Sequence, residues 1–133
     1  MPRKNVFALL ASAGDGPYSQ AIVSNGFVFV SGQGPIEAGT GRIIGTTIEE
    51  QADLTLRNIQ LILEAAGTSM DEVVQVSVFL EDMAHFGRFN EVYKRYFTAP
   101  MPARTCVQAG LDNILVEIDA IASLPNEAKG GSH

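Results

Sequence analysis

Tryptophan is missing from this 133-residue chain, cysteine occurs once, histidine twice, and the nine Lys and Arg are outnumbered by fifteen Asp and Glu. Each shortage excludes something. One cysteine, Cys106, cannot close an intrachain disulfide, so a reducing compartment is expected, most simply the cytoplasm. Two distant histidines, His85 and His133, and a lone thiol give no ligand spacing for a metal. A net charge of −6, with the cations scattered along the chain, leaves no basic footprint for a phosphate backbone, so nucleic acid is not expected as a partner. Nothing approaches the ~18 consecutive apolar residues of a membrane span. Gly32-x-Gly34 lacks the third glycine and the following helix of a dinucleotide fingerprint, so no nucleotide cofactor is expected either.

What is present suits a well-packed globular domain: 46% of residues are apolar and 18% charged. The chain is long enough for one core, and we expect a single domain over 1–126 with a polar, Gly-rich tail over 127–133. The basic start and short apolar patch of residues 1–13 faintly imitate a signal peptide, but Asn5 interrupts the patch, and the segment reads as mature sequence leading into the domain.

Ala21-Ile22-Val23, Ser24-Asn25-Gly26 and Phe27-Val28-Phe29-Val30 form a hairpin pattern around an Asn-Gly turn. Overlapping capping boxes at Thr46/Glu49 and Thr47/Glu50 start a helix whose Ala52, Leu56, Ile59 and Leu63 keep helical spacing, and Gly67 stops it. Val73–Leu80 reads as a strand apolar on both sides, with Val74, Val76, Val78 and Leu80 on one and Val73 and Phe79 on the other. A second helix carries the stripe Phe86, Phe89, Val92, Tyr93, Tyr96 and Phe97, expected to be core, with Asn90 at its border. Two further strands follow, near 103–108 and 114–122. The expected fold is α+β, in the order β-β-α-β-α-β-β: a single sheet of about five strands with two helices on one face. The other face then needs a cover, and a second copy of the chain is the expected one.

Two charged residues stand out on the last strands. Alternation puts Arg104, Cys106 and Gln108 on one side of a strand and Ala103, Thr105 and Val107 on the other. A strand-borne guanidinium offers a rigid planar fork that matches a carboxylate, although an edge arginine pointing into water is the plain alternative. Glu117 lies mid-strand in apolar surroundings and should be paired, protonated or put to use. Arg104 is its obvious counterpart, so a structural ion pair stands beside a functional one. Cys106 lacks an evident base and reads as a small core residue rather than a nucleophile.

Gly16-Pro17-Tyr18-Ser19-Gln20-Ala21, Ser31-Gly32-Gln33, Asn90-x-x-Tyr93-x-x-Tyr96-Phe97, Pro102-Ala103-Arg104-Thr105-Cys106-Val107 and Val116-Glu117-Ile118-Asp119-Ala120-Ile121-Ala122 together resemble the RidA/YjgF family of reactive enamine/imine deaminases, once described as translation inhibitors or endoribonucleases. The resemblance runs from Gly16 to Ala122 in the family's order. It implies a chorismate-mutase-like fold and a homotrimer with ligand clefts between subunits. It further implies that Arg104 holds a substrate carboxylate, that Glu117 handles the attacking water, and that Tyr18, Ser31, Gly32, Asn90 and Cys106 line the pocket. The implied reaction hydrolyses 2-aminoacrylate and related species to 2-keto acids and ammonia without cofactor or metal. The Thr98–Met101 loop is compact for the family, which leaves pocket size open. A ribonuclease and a non-catalytic ligand-binding or chaperone-like trimer are the other readings. The first would need a basic groove that the sequence does not display.

Overall fold

The computed structural model describes residues 2–125. The tail expected over 127–133, with His133, lies outside them. The α+β expectation holds: strands β1 (Lys4–Val6), β2 (Ala21–Ser24), β3 (Phe27–Gln33), β4 (Val73–Leu80), β5 (Ala103–Gln108) and β6 (Val116–Ser123) form one sheet, with helices α1 (Ile48–Ala66) and α2 (Phe86–Tyr93). The spatial order is β1-β2-β3-β6-β4-β5, and every pairing is antiparallel except β4 with β5. The sheet therefore has six strands rather than five. The extra one, β1, is three residues long, with Lys4 and Asn5 exposed, too short and too polar to show a period.

Local chemistry sets the frame. Asn25 (φ 53°) and Gly26 (φ 80°) both take the left-handed turn conformation that joins β2 to β3 with the twist a tight hairpin needs. Thr47 and Glu50 exchange hydrogen bonds in a capping box at the start of α1, and Gly67, at φ 92°, closes its end. Gln20, buried at 3% exposure, accepts from Ala8 N–H (2.7 Å) and donates to the carbonyls of Ala8, Ala11 and Ser12, fixing the segment between β1 and β2.

One sheet face carries the core. Val116, Ile118, Ala120 and Ala122 of β6 alternate inward against Leu56, Ile59, Ile62 and Leu63 of α1. The stripe on α2 is core as expected at Phe89, Val92, Tyr93 and Phe97. It departs at its ends: Phe86 is 37% exposed, and Tyr96, on a 3-10 turn, donates its hydroxyl to Asp53 Oδ1 at 2.6 Å.

The strand expected to be apolar on both sides is not so. A bulge between Val73 and Gln75 makes Val74 the extra residue, so Val73 is buried and Val74 is 45% exposed. Beyond it β4 sends Val76, Val78 and Leu80 inward, and among Gln75, Ser77 and Phe79 only the last is a large apolar group on the open face. That face is apolar for another reason: Phe27, Phe29 and Val107 stand on it, each between 41% and 43% exposed, with the two phenylalanine rings 6.5 Å apart.

Candidate functional site

β5 is an edge strand, and its Arg104 sits beside Val76 of β4, on the helix side of the sheet. Three residues of α2 at helical spacing receive it. Arg104 Nη1 donates to Asn90 Oδ1 at 2.7 Å, while its central carbon stands 4.8 Å from the Tyr93 ring centroid and 5.5 Å from that of Phe86. Aromatic faces and an amide attract a guanidinium without cancelling its charge. Among the described residues no carboxylate lies within 4 Å of it; the three ion pairs there join Arg42 to Glu37, Arg88 to Glu49 and Lys94 to Glu91. A cavity of about 310 Å³ opens at this point, lined by Asn90, Tyr93, Met101, Pro102 and Arg104 with Glu91 and Lys94 at hand. Cys106, half-buried on the same side, has its thiol pushed up by burial, against the pull of the Arg104 charge, so it is held as a thiol rather than a thiolate.

The other predicted residues gather elsewhere. Glu117 on β6 pairs across the ladder with Phe79 and stands on the open face, half-buried. The β3 bulge between Val30 and Gln33 brings Gly32 against it: a Cβ on Gly32 would stand 2.6 Å from Glu117 Oε2. Only a residue without a side chain leaves the carboxylate where it is. Ser31 donates its hydroxyl to the Ser19 carbonyl at 2.7 Å, so it braces the strand before Gly32. Tyr18, 51% exposed, lies over Gly14 and Gly16, where any Cβ would meet its ring. Tyr18 and Gly32 line a cavity of about 560 Å³ together with Ser12, Asp15, Glu37 and Thr40 among others.

Arg104 and Glu117 are not partners within one chain, contrary to the pairing expected of them. In register, Glu117 is opposite Phe79, and Phe79 is beside Val107; Val107 points away from the side that carries Arg104. The sheet lies between the two charges, and strand β4 and an offset of three residues along β5 separate them further, so neither side chain reaches the other. The structure thus brings Asn90 to Arg104, with Cys106 on the same side, and brings Gly32 to Glu117, with Ser31 and Tyr18 nearby, and it keeps the two groups apart. Phe86 and Tyr93 face the guanidinium as well, a contact that their reading as a core stripe does not anticipate even though Tyr93 is core; their spacing of four before and three after Asn90 places them on one helix face with it.

The chain matches, over residues 9–124, the family described as Endoribonuclease L-PSP. It is 47% identical over 109 residues to a RutC family protein of Pyrococcus horikoshii, spanning 80% of this chain and 86% of that protein. It is 42% identical over 116 residues to the chloroplastic Reactive Intermediate Deaminase A of Arabidopsis thaliana, spanning 86% of this chain and 62% of that one. The crystal structure of E. coli TdcF with bound serine matches with a TM-score of 0.84 at 36% identity, over 90% of this chain and 98% of the other.

Proposed function

The chain belongs to the endoribonuclease L-PSP family, the family of the Rid proteins, and on that premise we propose that it hydrolyses 2-aminoacrylate-type enamines and imines to 2-keto acids and ammonia. The observation that carries this reading is the Arg104 guanidinium, half-buried in a neutral cradle beside a cavity, with no acidic partner among the described residues. Such a charge suits an incoming carboxylate taken by two coplanar hydrogen bonds. The serine bound to TdcF carries a carboxylate of the same kind.

The chemistry asks little more. The enamine tautomerises to an imine, whose carbon is bonded directly to the carboxylate carbon. Glu117 takes a proton from water as the water oxygen adds to that carbon, the nitrogen is protonated, and collapse of the tetrahedral adduct expels ammonia and leaves the keto group. Holding the carboxylate and placing one water supplies proximity to a substrate that is already reactive. Because Arg104 and Glu117 lie on opposite sides of their own sheet, one chain's arginine works with a neighbour's glutamate in a homotrimer, across the apolar open face. The single cysteine supports a reducing, cytoplasmic setting.

The test is the rate of ammonia and keto-acid release from an imine generated in situ by an amino-acid oxidase, with and without the protein. A clear acceleration over spontaneous hydrolysis is expected. Equal rates across several amino-acid precursors, at protein concentrations where the oligomer is intact, would sink the assignment.

A further inference from the structure

Tyr93 is 4% exposed, and its hydroxyl, itself buried, has no hydrogen-bond partner among the described residues. Tyrosine hydroxyls in such positions nearly always find one, because a buried polar group left unmade is costly. The ring earns its burial by packing between Phe89 (centroids 5.6 Å apart) and Phe97 (4.7 Å). A phenylalanine would do that equally well. The oxygen therefore needs another explanation, and its neighbours supply one: the ring stands 4.8 Å from the Arg104 central carbon and lines the same cavity.

We infer that Tyr93 is a second binding residue for the ligand's carboxylate, its phenol donating a hydrogen bond to an oxygen that Arg104 clamps. Arg104 is held on one side by Asn90, through Nη1, which leaves the rest of the fork free for an anion entering from the cavity. An anion seated there brings acceptor oxygens to the phenol, and hydrogen bonds in binding sites commonly tighten only when the ligand is present. Burial pushes the phenol up to about 12, against the lowering effect of the Arg104 charge, so at neutral pH it keeps its proton and seeks an acceptor. Arg104 supplies the charge and the plane, and Tyr93 adds a donor that only an acceptor-rich head group satisfies. The ligand class is a small 2-oxo or 2-imino monocarboxylate. This rests on the reading of Arg104 as the carboxylate clamp.

Tyr93→Phe tests it, since the substitution keeps the ring, its packing and its attraction for the guanidinium while removing only the hydroxyl. Calorimetric titration of the intact oligomer with 2-oxobutanoate should show binding weakened about tenfold or more, the worth of one hydrogen bond to a charged group. The melting temperature of the unliganded variant should be unchanged or higher, because the removed hydroxyl had no partner. Turnover should show a raised KM with kcat nearly retained. Unchanged affinity, whatever the melting temperature, would overturn the inference and leave the hydroxyl a plain orphan. Arg104→Lys, run alongside, separates the two claims. If Arg104→Lys binds 2-oxobutanoate like the parent, the clamp itself is wrong and Tyr93 falls with it. If Arg104→Lys fails and Tyr93→Phe does not, only the Tyr93 role is lost.

Discussion

The proposed sharing of one site between neighbouring chains makes a quantitative demand on mixed oligomers. Arg104→Ala removes the clamp and Glu117→Gln removes the base, so neither homo-oligomer should turn over substrate appreciably. Neither residue has an ion partner among the described residues, so neither change breaks a buried pair, and both variants should melt near the parent. Now let the two variants assemble together in equal amounts. A site is intact when the chain giving the arginine is a Glu117→Gln chain and the neighbour giving the glutamate is an Arg104→Ala chain. Random assembly meets each condition in about half of cases, so roughly one quarter of sites are restored, in a ring of any size. The assay is co-expression with two different affinity tags, sequential purification, light scattering to check the expected trimer, and the coupled imine assay. Purified oligomers mixed without subunit exchange serve as the control and should stay inactive. Mixed oligomers with no more activity than either parent variant would refute the shared site, as would a monomeric mass in the active wild-type protein.

Other expectations follow from individual contacts. Gly32→Ala would place a Cβ 2.6 Å from Glu117 Oε2, and ordinary contact begins at 3.4 Å, so the half-buried carboxylate must move by about 0.8 Å; stability should change little because the obstructing atom is the far end of a rotatable side chain rather than backbone, whereas kcat should fall by something like 100-fold, and an unchanged kcat would show that the carboxylate's position is immaterial. Cys106→Ser should retain most activity, because burial holds the thiol protonated; complete inactivation of a folded variant would restore a nucleophilic cysteine. The Arg88 guanidinium grips Glu49 with two hydrogen bonds, 2.7 and 2.6 Å, and holds its carboxyl down at about 2 against an ordinary 4.5. A lowered folded-state value gives stability that is present above 4.5 and lost as pH falls through about 2. Arg88→Ala should therefore melt earlier than the parent at pH 6, by less in high salt, and the gap should close towards pH 2; a gap independent of pH would remove the pair from the account.

The elements that could be read directly are those whose cause is local. A capping box, a glycine stop and an Asn-Gly turn act within a few residues, and α1 and the β2–β3 hairpin carry those signals intact. The Val74 bulge could not be read, because an unbroken Val-Val run looks like alternation until a partner strand defines which valine is surplus. The same limit governed the site. Alternation within β5 correctly groups Arg104 with Cys106 and opposes them to Thr105 and Val107. It says nothing about which of these faces meets the helices, and neither set is the more obvious core: one holds an arginine and a thiol, the other a threonine and a valine. Hydrophobicity alone favours turning Val107 inward. The decision is made across the chain, where β5 lies parallel to β4 and α2 presents Phe86, Asn90 and Tyr93 to the guanidinium, so that the arginine goes to the helix side and Val107, 42% exposed, to the open face. Glu117 belongs to a strand whose inward set, Val116, Ile118, Ala120 and Ala122, is buried and apolar, so alternation turns it to the open face, away from the burial that its apolar neighbours in sequence suggest. The two charged residues that stand out in the sequence, Arg104 and Glu117, were thus paired wrongly, because pairing depends on the sheet order β6-β4-β5 and on the partner that an edge strand finds, neither of which is written in any one segment. On the proposed reading, their separation asks a second copy of the chain to do more than cover apolar surface: it would have to supply half the chemistry.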